Sequence, residues 1–206
     1  MKVLFINASP HGDASHGYRL ALEMIDTLRK RARVDTVKRD LAATPLPPLT
    51  QDYARAITSR HPDEAQFDIS EQLIREIETT DTLIINTPMH NFTVPAALKL
   101  WIDYVLRIHR TFVSTPEGKV GLMRDRPTFV IVGSGGFHGG ELARQRDFLT
   151  PYLRYALGSI GLQDLRFVTL QGLVRGSEAV AQALDLARED IARHALFASD
   201  GDTVTP

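Results

Sequence analysis

The chain has no cysteine among its 206 residues. That absence removes disulfides, thiolate metal sites, iron–sulfur clusters and cysteine nucleophiles, so redox chemistry here needs a borrowed cofactor. An excess of charge of either sign is missing too: 24 Lys and Arg stand against 25 Asp and Glu, a net charge of −1. Nucleic-acid binders gain most of their affinity by neutralising phosphates with a basic excess, so no nucleic-acid partner is expected. Long apolar runs are also lacking. The N-terminus reads Met1-Lys2-Val3-Leu4-Phe5-Ile6-Asn7, one short apolar run and then a polar break. A secretory segment needs about 7–15 apolar residues and a membrane span about 20. The expectation is a soluble, cytoplasmic chain with no membrane association. Repeats and low-complexity tracts are absent.

What is present is an alternation of short apolar runs with amphipathic stretches. Val3–Ile6 has the continuous apolar character of a central strand covered on both faces. Tyr18–Lys30 carries Leu20, Met24, Ile25 and Leu28 at helical spacing. Val34–Leu41 is more polar and reads as an edge strand. Asp68 with Glu71 has the spacing of a capping box, opening a helix to about Thr79. Thr82–Thr87, Thr128–Val132 and Leu165–Leu170 read as further strands, and Val94–Leu106 as a helix. Thr150-Pro151 reads as an N-cap followed by proline at the first helical position, and Ser177 opens a last helix to about Ala198. Ala42–Phe67, with prolines at 45, 47, 48 and 62, is long for a connection: a flap, an interface element, or the bed of a short helix near Tyr53–Arg60. Five strands alternating with helices predict a three-layer α/β/α fold around a five-stranded parallel sheet in one domain over 1–198, with 199–206 a frayed tail.

Ligands of an open parallel sheet bind beyond the carboxyl ends of its strands. Three loops leave such ends. The first, 7–17, opens a helix and offers hydroxyls at Ser9 and Ser15, imidazoles at His11 and His16, and flexibility at Gly12 and Gly17. It lacks the spacing of a dinucleotide fingerprint or a P-loop, and suits a monophosphate held by hydroxyls and amides; otherwise it is a polar turn with an N-cap serine. The second, Pro88-Met89-His90-Asn91-Phe92, offers apolar faces and an amide for a flat ring; alone it reads as an ordinary loop. The third runs Gly133-Ser134-Gly135-Gly136-Phe137-His138-Gly139-Gly140, and its glycines let backbone approach a ligand closely. There is no GxSxG elbow and no HExxH, so a hydrolase and a metal are not expected.

Jointly these motifs make the chain similar to the flavodoxin-like FMN-dependent NADH-azoreductases, which are also quinone reductases. The family's Pro-Met-Tyr-Asn-Phe motif appears as Pro88-Met89-His90-Asn91-Phe92, and its Arg-Asp-Leu-Ala segment as Arg39-Asp40-Leu41-Ala42 before Pro45 and Pro47. Its Gly-Gly-x-His loop appears as Gly135-Gly136-Phe137-His138, and its Pro-Tyr-Leu stretch as Pro151-Tyr152-Leu153. The resemblance implies a flavodoxin-like sheet of strand order 2-1-3-4-5 and FMN held by Ser9, Ser15, His16, Gly17, Pro88–Phe92 and Gly133–Gly136. It further implies NADH or NADPH as donor, a quinone, azo or nitroaromatic acceptor, and a homodimer whose chains share each site. His138 is the candidate proton donor, and Phe112 and Phe137 the candidate acceptor-lining rings. Three positions depart from the family: Gly17 where a second serine is usual, His90 for the motif tyrosine, and Gly133-Ser134 for Ser-Arg. The readings of other classes are a flavodoxin-fold regulatory subunit that senses nicotinamide and an electron carrier, the latter disfavoured by the near-neutral charge.

Overall fold

In the computed structural model, residues 1–198 are described; the tail expected over 199–206 lies outside them. Four strands, β1 (Lys2–Asn7), β3 (Thr82–Pro88), β6 (Thr128–Gly133) and β7 (Leu165–Leu170), join β2 (Asp35–Asp40) in a parallel sheet of order β2-β1-β3-β6-β7. Counting only these five in chain order, the arrangement is 2-1-3-4-5, as expected. A short antiparallel hairpin, β4 (Phe112–Thr115) and β5 (Gly118–Gly121), is inserted before β6. The hairpin was not foreseen, because its four-residue strands carry too few alternating apolar positions to register as strands.

Side chains alternate across the strands, and the two faces build two cores. Leu4, Ile6, Leu83, Ile85, Val130 and Val132 point one way, against α2 (Gln51–Thr58), α3 (Asp68–Glu78), α4 (Ala96–Val105) and α5 (Leu149–Gly158). Val3, Phe5, Ile84, Phe129 and Ile131 point the other way, against α1 (His16–Arg29) and α6 (Ser177–Ala192). Each fully buried large apolar side chain contributes about 1.5–3 kcal/mol. Trp101 and Tyr104 belong to the first core.

The segment 42–67 is packed down. It holds α2, capped by Thr50, and the Tyr104 hydroxyl donates to Pro47 O at 3.0 Å while Tyr53 meets Phe67 edge-on. Three helix starts differ from expectation. Asp68 is the first residue of α3 rather than its cap, and Glu71 turns to arginines instead of closing a capping box. Val94 stays outside α4 because the residue before a proline avoids the helical region. The α5 amides are capped by Asp147, not Thr150. At the far end, α6 stops at Ala192, and the turn beyond is gripped by Arg31, whose guanidinium donates to the carbonyls of Leu196, Phe197 and Ala198.

Candidate active site

The carboxyl ends of β1, β3 and β6 place the three loops side by side, and two buried asparagines lock the first two together. Asn7 and Asn86 are in register across β1 and β3. Asn86 Nδ2 donates to Asn7 Oδ1 at 2.8 Å and to Ser15 Oγ at 3.3 Å. Asn7 Oδ1 also accepts from Ser9 N, and its Nδ2 donates to Asp40 Oδ1 at 3.2 Å. Asp40 takes the amides of Ala42 and Ala43 as well. Burial opposes its ionisation, but the hydrogen bonds from Ala43 and Asn7 and the Lys38 ammonium beside it hold the carboxyl below its ordinary value. Sequence reading missed this pair; the available signal was a polar residue at the same depth near the ends of two parallel apolar strands.

Ser15 caps α1 by accepting from Tyr18 N, while His16 and Gly17 form the first helical turn. First-turn amides have no intrahelical acceptor and sit at the positive end of the helix dipole, which makes an anion site. Ser9 is buried, and its hydroxyl accepts from His11 N. Gly17 is itself buried, and a side chain there would run into the Asn86 carboxamide. The departure at position 17 is therefore a packing requirement of Asn86 as well as the loss of a hydroxyl.

The second loop closes on a tight turn in which His90 and Thr93 exchange both backbone hydrogen bonds. Its central residues, Asn91 and Phe92, have φ of 46° and 73°. Asparagine tolerates that left-handed region; an aromatic residue there is strained by about 1–2 kcal/mol. Phe92 is nonetheless 49% exposed. Backbone strain combined with an exposed aromatic ring makes little sense for stability and marks a surface for a ligand or partner. Loops two and three are tied by Met89 N to Gly133 O at 2.8 Å and by Phe148 N to Phe92 O at 3.1 Å.

In the third loop Gly133, Gly135 and Gly136 keep ordinary backbone; only Gly140, with φ of 72°, needs the left-handed region. Gly135 and Gly136 are instead overlain by Val174 and Gln145. Ser134 Oγ donates to Gly136 O within the loop. The His138 side chain is 2% exposed; Nδ1 lies 3.6 Å from Asp147 Oδ2, and Nε2 is buried without a hydrogen-bond partner among the described residues. An orphaned imidazole nitrogen of this kind costs about 1–3 kcal/mol, which a ligand atom can return.

Two expected residues are not brought to this cluster. Phe112 lies at the base of the hairpin, buried under the Lys119 ammonium at 3.6 Å. The hairpin's return at Met123 bonds to Ile160, at the amino end of the sheet. Phe137 turns outward into a groove of about 480 Å³ between β7 and α6, beneath Arg175. His16 is half-buried, whereas His11 and His90 are exposed. Among the described residues no group of three or more His, Asp or Glu is placed to hold a metal ion, and no helix is long and apolar enough to cross a membrane.

Comparison with known proteins matches residues 1–195 to the family described as Flavodoxin-like fold. A Pseudomonas fluorescens protein named FMN-dependent NADH:quinone oxidoreductase 4 is 61% identical over 95% of this chain and 96% of its own. A Burkholderia lata protein named FMN-dependent NADH:quinone oxidoreductase 5 is 50% identical over 95% of each. Among solved structures, an azoreductase from Bacillus anthracis superposes with a TM-score of 0.80 at 22% identity, covering 93% of this chain and 97% of that one. An FMN-dependent NADH-azoreductase of the same species, in complex with FMN, gives 0.77 at 22% identity over 94% and 99%.

Proposed function

The chain belongs to the flavodoxin-like fold family, and on that premise we propose that it is an FMN-dependent oxidoreductase passing electrons from NADH to quinones and, more loosely, to azo and nitroaromatic compounds. The reading is carried by one observation: a relative named for that activity is 61% identical over almost the whole of both chains. The site's chemistry fits the cofactor independently. The first-turn amides of α1 with the hydroxyls of Ser9 and Ser15 form a cradle for a monophosphate that asks for no cation. His16, half-buried at the first helical position, covers its rim. Pro88, Met89 and Phe92 offer flat apolar surface, and His90 and Asn91 offer polar edges. The orphaned Nε2 of His138 is a buried polar atom that wants a partner.

Bound FMN would supply hydride acceptance and delivery, chemistry that no side chain here can perform. The chain's own part is placement. Strained Asn91–Phe92 presents a ring face against which nicotinamide and acceptor stack in turn, and holding reactants in contact is worth several orders of magnitude in rate. The imidazole of His138 holds or gives up a proton at Nε2, on the buried side of the loop. The donor is NADH rather than NADPH, following the relatives' names. With that donor, we place the chain in the cytoplasm.

We place a second copy of the chain against the apolar surface offered by Phe148 and Tyr155, which are 53 and 74% exposed. Light scattering of the purified protein should give a dimer, and a monomer at working concentration would remove this part of the reading. The regulatory alternative has less support, since the segment 42–67, the candidate interface element, is anchored through Pro47, Tyr53 and Phe67. The deciding experiment is an absorbance spectrum with and without added FMN. Flavin bands that bleach under anaerobic NADH and return with a quinone are expected. A protein that neither retains nor binds FMN is no reductase.

A further inference from the structure

Asp147 divides its carboxylate between two tasks. Oδ1 accepts from the amides of Leu149 at 2.9 Å and Thr150 at 2.8 Å, capping α5. Oδ2 faces Nδ1 of His138 at 3.6 Å, too long for a hydrogen bond and within the range of an ion contact. Burial works against its ionisation, but the hydrogen bonds from Thr150 and from the amide of Leu149 keep the carboxyl below its ordinary value. It is a carboxylate at neutral pH.

His138 is held from a second direction. The side-chain oxygen of Gln171, just past β7, accepts from His138 N at 2.7 Å and from Gly139 N at 2.9 Å. The backbone that carries the imidazole is therefore tied to the sheet, while among the described residues the ring has the Asp147 carboxylate near Nδ1 and no hydrogen-bond partner at Nε2. A neutral imidazole has one proton to place, and the nitrogen nearer a negative charge is the better place for it.

We propose that Asp147 is a positioning residue for the reductase site: its carboxylate keeps a proton on Nδ1 of His138, so that Nε2 stays available to the bound ligand. In the neutral ring Nε2 would then be a lone pair free to accept a hydrogen bond from a bound cofactor. With the ring protonated, Nε2 carries the second N–H and Asp147 balances the charge. The proposal rests on the FMN reading above. It differs from that reading in assigning the tautomer to a residue outside the three cofactor loops' recognised motifs.

The test uses Asp147→Ser and Asp147→Asn in the full chain. Serine keeps a helix cap but is too short to reach His138; asparagine keeps both reach and cap while removing the charge. Nitrogen-15 spectra of the histidine side chains, with His138→Gln to identify the signal, report which ring nitrogen carries the proton. The wild-type chain without cofactor should show Nδ1–H, and Asp147→Ser should shift the ring to mainly Nε2–H. FMN affinity, read from quenching of flavin fluorescence, should weaken on the order of tenfold in Asp147→Ser, as expected for a misdirected hydrogen bond. Asp147→Asn should fall between wild type and Asp147→Ser in both readouts. An unchanged tautomer in Asp147→Ser overturns the proposal, even with weaker FMN binding, since the cap alone would then explain the loss. A shifted tautomer with unchanged FMN affinity also overturns it, because Nε2 would not be serving the ligand. Failure of the wild-type chain to bind FMN overturns instead the cofactor reading beneath it, and the nitrogen spectra still decide what Asp147 does to His138.

Discussion

Gly17, in the first turn of α1, packs directly against the carboxamide of Asn86 at the end of β3. A methyl group at position 17 would collide with Asn86 Oδ1 and would come within 3.1 Å of Ile131 Cγ2. The contact brings the amino end of α1 down onto the sheet, which is what puts its anion-binding amides beside the strand ends.

The first prediction tests that contact. Gly17→Ala should destabilise the fold by about 1–3 kcal/mol through overpacking. Asn86→Ala should cost a similar amount, because it removes a buried donor to both Asn7 Oδ1 and Ser15 Oγ and leaves a cavity where the carboxamide was. In the double variant the methyl fits the space Asn86 leaves, so the combined loss should fall short of the sum by at least about 0.5 kcal/mol. Urea unfolding of the four proteins measures this. Simple additivity would mean that the two residues do not compete for one space.

Phe92 is predicted to trade stability for function. Glycine has no penalty at a φ of 73°. Relief of about 1–2 kcal/mol of strain should outweigh the roughly 0.5–1 kcal/mol of added chain entropy. Phe92→Gly should therefore melt no lower than wild type while its quinone reduction falls at least tenfold. A clear drop in melting temperature with activity intact would show that the ring is structural.

Glu71 carries a pH dependence. Hydrogen bonds from Arg110 first, then Arg107 and Arg75, outweigh burial and lower its pKa from 4.5 to about 2. A carboxyl depressed on folding stabilises fully above its unfolded pKa and loses that contribution as pH falls through the folded one. Wild-type stability should drop between pH 4.5 and 2. Glu71→Gln should be weaker by about 2 kcal/mol at pH 7, allowing for partial solvent screening, and should converge with wild type near pH 2. Parallel curves over that window would contradict the assignment.

His194 works in the opposite chemical sense within a higher window. It lies edge-on to Phe129 with ring centroids 4.9 Å apart, and its Nδ1 accepts from Leu196 N at 3.1 Å. Burial, helped by Arg166 and opposed by Asp164, lowers its pKa below 6.5. For a base depressed on folding, the unfolded chain binds the proton more readily, so stability is full above 6.5 and declines as pH falls toward the folded value. Melting temperatures at pH 7.5 and 5.5 should differ more in wild type than in His194→Gln, which keeps an acceptor for Leu196 but takes up no proton. Equal pH sensitivity would place the titrating group elsewhere.

Much of the architecture was legible because burial on both faces writes itself into a strand as an unbroken apolar run. β1, β3, β6 and β7 could be found within a residue or so, and their alternation with helices implied a parallel sheet. Caps were less legible. Asp68 with Glu71 had the right spacing for a capping box, but spacing does not reveal that Arg107 and Arg110 would arrive from 36 and 39 positions away to claim the glutamate. Asp147 was overlooked because Thr150-Pro151 satisfied the same local pattern three residues later. The glycine loop was read as backbone that a ligand approaches closely, whereas Val174 and Gln145 lie over Gly135 and Gly136.

By itself the sequence determined what local chemistry can encode: the strands, the amphipathic helices, the need for a borrowed redox cofactor, and the three loops that gather at one edge of the sheet. Tertiary structure alone decided which side chains meet there. It set Asn7 beside Asn86 across two strands, bent Asn91 and Phe92 into a strained turn, aimed Asp147 at His138, and turned Phe112 and Phe137 away from the cluster. The reason is physical. Hydrophobic period and turn preference act over a few neighbouring residues, whereas the direction of a side chain at a site is set by contacts made only after distant segments have packed.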